Sequence, residues 1–154
     1  MRLFGLVAMA ALVACAAPAR SEATPAQSEA TKATGAIAAP VQEDVVNRIG
    51  ADMAGQTIAV AVGERFAVQL VGVPTAGYLW APTTTPDFLE ASGQGGGPTT
   101  AAQRRPGFTG GNHWEVFYFT AKEAGSGELR LEQRRPWETG GPPANSFAVT
   151  IIAE

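Results

Sequence analysis

The chain contains one histidine, His113, and one cysteine, Cys15, and these two counts exclude most catalytic chemistry. A Ser-His-Asp hydrolase would have to use His113, yet no Gly-x-Ser-x-Gly elbow accompanies it. A place at a strand start beside Trp114 suits that imidazole better. One thiol allows no internal disulfide, and neither a histidine cluster nor a thiolate set is available for zinc. Paired carboxylates could serve glycoside chemistry, but Glu115, Glu128, Glu132 and Glu138 read as exposed strand or loop charges. Gly95-Gly96-Gly97 is followed by no Gly-Lys-Ser/Thr and stands before no helix start, so it reads as a flexible loop rather than a phosphate cradle. Arg104-Arg105 and Arg134-Arg135 are too few to bind nucleic acid on a chain with 11 Lys and Arg against 14 Asp and Glu. The residue types point to recognition, not catalysis: no enzyme activity, cofactor, metal or nucleic-acid partner is expected.

The elements that must carry such recognition are short. With 154 residues, 45% of them hydrophobic and 16% charged, the chain can bury a core of one domain. Its 18 Gly and 11 Pro suit strands and turns better than a helical bundle. From Thr57 onward, apolar residues recur with period two. Ile58, Val60 and Val62 alternate with alanines, and Phe66, Val68 and Leu70 follow after a Gly63-Glu64 turn. Further runs fall at 78–80, 88–91, 114–120, 128–134 and 147–152. Leu129 and Leu131 alternate with Glu128, Arg130 and Glu132, and Phe147, Val149 and Ile151 share one side. Such alternation, with one solvated face, predicts antiparallel sheets. About seven runs in some 100 residues predict an all-β, immunoglobulin-like antiparallel β-sandwich, placed at 55–154 and expected to be a monomer.

The front of the chain reads as an export address. Met1 and Arg2 give a positive start, and the uncharged stretch 3–14 is too short to span a bilayer. Its end, Leu12-Val13-Ala14-Cys15, resembles the bacterial lipobox, which implies a signal peptide at 1–14 and a lipid on Cys15 that contacts the membrane. Ala16 after the cysteine then favours the outer membrane, facing the periplasm. Cleavage after Ala19 by an ordinary signal peptidase is the alternative, since Ala17-Pro18-Ala19 also fits, and it gives a soluble periplasmic protein. Residues 15–54, rich in Ala, Pro, Ser, Thr, Glu and Gln, show no apolar period and read as a flexible tether. Residues 45–49 are compatible with a single helical turn.

Three segments between the strands are more distinctive than the strands themselves: 72–80, the Gly-rich 93–111, and 135–143. The second and third share an echo. Gln103-Arg104-Arg105-Pro106-x-x-Thr109-Gly110-Gly111 recurs as Gln133-Arg134-Arg135-Pro136-x-x-Thr139-Gly140-Gly141. Two copies do not make a solenoid. Either the echo is coincidence, or it marks two similar loops flanking a third at one end of the sandwich.

In that order, the three segments resemble the chagasin family of cysteine-peptidase inhibitors, over about 58–154. The family's first loop reads Asn-Pro-Thr-Thr-Gly-Tyr/Phe-x-Trp; Pro74, Thr75, Gly77, Tyr78 and Trp80 match, while Val73 and Ala76 depart. The second carries Gly-x-Gly-Gly, matched by Gly110 and Gly111, with Phe108 where the first glycine belongs. The third, Arg-Pro-Trp, is intact as Arg135-Pro136-Trp137. The stretch 120–125 and the Leu129/Leu131 strand are also similar to the family. The resemblance implies reversible inhibition of papain-like cysteine peptidases. The first loop would lie over the catalytic cysteine and the others along its flanks, with Pro74, Thr75, Ala76, Gly77, Tyr78, Gly110, Gly111, Arg135, Pro136 and Trp137 at the contact.

Pro74 fixes φ and Gly77 can take a positive φ, so the first loop can hold one shape before binding. Trp80 is expected in the core, Tyr78 at the loop base, and Arg135 either on the partner or braced by Glu138. Trp137 is expected as a contact, because little core lies nearby to receive it. Loss of the family's asparagine and second threonine removes two possible loop braces. The competing reading is a non-inhibitory, immunoglobulin-like envelope lipoprotein acting as a protein-binding or assembly module.

Overall fold

A computed structural model describes residues 35–138 and 140–154. The signal peptide, Cys15 and residues 16–34 lie outside the described residues. Among the described residues, eight strands form two four-stranded sheets. The first sheet has the order β1 (Asn47–Gly50), β3 (Arg65–Gly72), β6 (His113–Ala121), β5 (Leu89–Pro98). The second has the order β2 (Thr57–Val60), β8 (Asn145–Ala153), β7 (Gly125–Arg134), β4 (Leu79–Thr84). The immunoglobulin-like sandwich is as expected, with eight strands rather than seven. Pairing is antiparallel except at one edge of each sheet, where β1 runs parallel to β3 and β2 parallel to β8.

The period-two pattern explains the core. Phe66, Val68 and Leu70 of β3 and Phe117, Phe119 and Ala121 of β6 meet Leu129 and Leu131 of β7 and Phe147, Val149 and Ile151 of β8. Each fully buried large side chain contributes about 1.5–3 kcal/mol of transfer free energy. Phe66 and Phe119, paired across β3 and β6, stack with ring centroids 5.6 Å apart. On the outer face of β7, Arg130 pairs with Glu128 at 2.8 Å and Arg134 with Glu132 at 2.9 Å, as its alternation required.

Two expectations need correction. Residues 36–54, read as tether with a helical turn at 45–49, belong to the folded domain. Asn47–Gly50 is a strand registered from Asn47 opposite Phe66 to Gly50 opposite Gln69. Upstream, Ala39 and Val45 are buried in a second apolar cluster with Ala67, Val116 and Tyr118, on the outer face of the first sheet. The segment shows no periodicity because it crosses that face as a strap, touching it at scattered positions.

Gly95-Gly96-Gly97 is likewise not a loop. It lies within β5, opposite Val116, Glu115 and Trp114. Glycine suits a strand where other groups approach closely: a Cβ at Gly95 would come within 3.3 Å of the Tyr118 hydroxyl, and one at Gly97 within 3.1 Å of the Pro40 ring.

Candidate functional site

Strand register brings the three segments to one end of the sandwich. Gly72, the last residue of β3, pairs with His113, the first of β6, and Pro98, the last of β5, pairs with the same histidine. The connections 73–78 and 99–112 therefore leave the same end of the first sheet. In the second sheet Leu79, the first residue of β4, pairs with Arg134, the last of β7, so 135–144 emerges there too. Because β3 and β4 belong to different sheets, the first loop crosses between them. The second loop rises from one sheet and the third from the other.

The first loop is closed by its own backbone. The amides of Ala76 and Tyr78 both donate to Val73 O, at 2.9 and 3.2 Å, and Gly77 N–H donates to Pro74 O at 2.9 Å. Pro74–Ala76 forms one turn of 3-10 helix with Pro74 at its start and Gly77 at φ 80° closing it. That left-handed position is why glycine stands there. Pro74, Thr75 and Ala76 are exposed, and Gly77 and Tyr78 are half-buried.

These backbone bonds need no asparagine at position 73, and Arg135 supplies a further brace from the third loop. Its Nε donates to Ala76 O at 3.0 Å and its Nη1 to Glu138 Oε1 at 3.0 Å. The guanidinium also lies 4.4 Å from the centroid of the Tyr78 ring, a cation–π distance. Hydrogen bonding to Glu138 raises its pKa above the ordinary guanidinium value. Arg135 is therefore an organiser of two loops as well as a residue of the edge.

Arg135-Pro136-Trp137-Glu138 is a turn in which Glu138 N–H donates to Arg135 O at 3.0 Å, with proline at the second position where its fixed φ is favoured. It presents Trp137 with 68% of its surface exposed. Arg134 steadies the return of the loop by donating to Gly141 O at 2.8 Å.

In the second loop, Arg105-Pro106-Gly107-Phe108 forms a similar turn, with Phe108 N–H donating to Arg105 O at 3.2 Å. It presents Phe108 at 45% exposure. The echo thus has a physical counterpart in two Arg-Pro turns, each displaying an aromatic ring. The glutamines of the echo part company, since Gln133 is a buried strand residue whereas Gln103 is a loop staple. Gln103 Oε1 accepts from the amides of Thr99 and Thr100, at 2.7 and 2.9 Å, and its Nε2 donates to Asn112 O at 2.6 Å. Both ends of the loop are tied through that one side chain. Gly110 and Gly111 follow the turn at φ 82° and 92°.

Beneath the loops, Trp80 packs against the main core, as expected, and its Nε1 donates to Val71 O at 3.0 Å. Its backbone N–H donates to Glu115 Oε2 at 3.0 Å, so a carboxylate on β6 holds the start of β4 across the sheets. Burial pushes the Glu115 carboxyl above its usual range, against the Trp80 hydrogen bond and the nearby His113. Glu115 Oε1 and His113 Nδ1 are buried without a hydrogen-bond partner. Glu115 was read as an exposed charge. Its structural role shows only in the fold, because Gly72 leaves the space its carboxylate fills. Among the described residues, no group of three His, Cys, Asp or Glu side chains is placed to hold a metal ion.

Comparison with known proteins bears on this edge. Residues 59–151 match the family described as chagasin family peptidase inhibitor I42. No curated protein sequence matches the chain. Among solved structures, a cysteine protease inhibitor from Entamoeba histolytica superposes with a TM-score of 0.62 at 18% identity, covering 74% of this chain and 100% of its own. The solution structure of Amebosin gives a TM-score of 0.54 at 28% identity, covering 70% of this chain and 96% of its own.

Proposed function

The chain belongs to the chagasin family of peptidase inhibitors, and from that membership we propose that its three-loop edge enters and blocks the active-site cleft of a papain-like cysteine peptidase, reversibly and without turnover. It is an inhibitor and not an enzyme. The observation that carries the proposal is the cross-bracing of the edge: Arg135 bonds the carbonyl of Ala76, stacks on Tyr78 and pairs with Glu138. Loops held in one shape before binding lose little entropy on docking. A first loop closed on its own backbone also resists the extended form a peptidase must impose on a substrate. In this reading Thr75 enters the cleft at the tip, while Trp137 on one flank and Phe108 with Gly110 and Gly111 on the other exclude water around it.

Progress curves of papain hydrolysis with the full chain test this. Slowing at micromolar protein that reverses on dilution, with the inhibitor recovered intact, is the expected result. Unchanged curves would leave a non-inhibitory envelope module as the better account.

The same proposal places the domain in the bacterial envelope, held by a lipid on Cys15, on the strength of the Leu12-Val13-Ala14-Cys15 sequence. A mature mass starting at Cys15 and carrying acyl chains is expected. A mass starting after Ala19 with no lipid would replace the anchor with a soluble periplasmic protein.

A further inference from the structure

The strap formed by residues 35–45 grips the second loop as well as covering the sheet. Ile37 N–H donates to Thr99 O at 2.8 Å, and Ala101 N–H donates to Gly35 O at 2.8 Å. Trp114, the second residue of β6 after the loop's return, donates its Nε1 proton to Ile37 O at 2.7 Å. Both roots of the loop are thus tied to two residues of the strap.

Further along, the strap is itself fixed. Tyr118 Oη donates to Pro40 O at 3.3 Å, Ala39 and Val45 are buried against the sheet, and Arg65 Nη1 donates to Gln42 Oε1 and Asp44 Oδ2, both at 2.6 Å. The glycines of β5 leave room for it at Pro40.

We propose that the strap is a positioning element of the inhibitory edge, with Gly35 and Ile37 setting the height and rigidity of the second loop and, through it, the affinity for the peptidase. The affinity part rests on the function proposed above; the positioning part does not. The strap's own residues lie upstream of the matched range 59–151, while their partners Thr99, Ala101 and Trp114 lie within it. The strap also gives the Gly-rich β5 a purpose, because bulkier side chains there would lift it off Trp114 and Tyr118.

The test uses the full chain carrying Ile37→Pro, which removes the N–H donated to Thr99, and separately Trp114→Phe, which removes the indole donor while keeping a ring on the sheet. The first readout is amide hydrogen exchange at Gln103 and Phe108, whose acceptors, Thr100 O and Arg105 O, lie inside the loop and are untouched by either substitution. Both amides are expected to exchange roughly three- to tenfold faster, as for one lost hydrogen bond, while amides of β7 and β8 keep their protection. The second readout is inhibition of papain by Phe108→Ala made alone and in the Ile37→Pro background. If the strap positions the loop, Phe108→Ala weakens inhibition less in the second background than in the first.

Unchanged exchange at Gln103 and Phe108 would overturn the positioning role, and strictly additive losses would overturn its link to affinity. Should the native chain fail to inhibit papain, the proposed function falls, and the exchange measurement still decides whether the strap holds the loop.

Discussion

The indole of Trp137 lies against Gly77, so close that a Cβ at that glycine would overlap the ring. The two residues come from different loops, and the first could not keep its shape beside this tryptophan with any other residue at its close. Gly77 is therefore required twice, by its φ of 80° and by its neighbour. Because the ring keeps 68% of its surface exposed while resting there, it is supported from behind and open in front.

Replacing Gly77 by alanine should strain the left-handed position by about 1–2 kcal/mol and push Trp137 out of place. A fall of a few degrees in melting temperature is expected, together with a loss of inhibition of tenfold or more. Melting curves and inhibition constants measured on one preparation check this. A normal inhibition constant for Gly77→Ala would mean that the Trp137 position has no bearing on binding.

Trp137→Ala should leave the melting temperature within a degree or two, because little of the ring is buried. Inhibition should weaken by roughly 10- to 100-fold, the range of an aromatic anchor worth about 1.4–2.8 kcal/mol. Thr75→Arg, at the exposed tip, should act the same way by filling a narrow cleft with a long side chain. Unfolding of Trp137→Ala would place that residue in the core.

Arg135→Lys tests the brace. Lysine keeps the charge but loses the planar fork that reaches Ala76 O and Glu138 together while stacking on Tyr78. Slower association with the peptidase is expected, with dissociation less affected, because the loops must be ordered during docking. Binding kinetics by surface plasmon resonance read the two rates separately, and a lysine variant with native rates would reduce the arginine to a surface charge.

The Glu115 carboxyl gives a pH dependence of stability. The fold holds its proton to a higher pH than the unfolded chain does, chiefly through burial. Its stabilising contribution is thus complete below the unfolded value of about 4.5 and declines as pH rises through the raised value. Glu115→Gln keeps an oxygen for the Trp80 N–H and cannot ionise, so its melting temperature should fall less between about pH 4 and 8. Parallel curves for native and variant protein would assign the pH dependence to another group.

Much of this architecture was legible in the sequence for reasons that particular residues make plain. Phe66, Val68 and Leu70, and likewise Phe147, Val149 and Ile151, alternate with residues that need not be buried, which is the signature of a strand with one core face. The Arg-Pro-Trp and Pro-Thr-Ala-Gly segments stood out because turn chemistry fixes their residue types.

The strap was not legible. Ala39, Val41 and Val45 touch the sheet at irregular intervals, and β1 pairs with a strand that begins well downstream in parallel register, so neither leaves a local pattern. The β5 glycines misled in the opposite sense. Their small size reflects what Tyr118 and Pro40 require of them, and no propensity scale carries that information. Glu115 and Gln103 looked like ordinary polar residues. Only the backbone amides around them turn one into a cross-sheet tie and the other into a staple.

The two chain termini of the described domain leave from opposite poles. Gly35 departs beside Ala101 at the finger end, whereas Ala153 pairs with Gly125 at the far end, and Glu154 follows it. A bulky handle joined directly at Gly35 therefore sits beside the three loops, while a handle at the last residue leaves the approach of an incoming protease open. Biosensor chips and affinity resins built on this protein should be coupled through its carboxyl-terminal side.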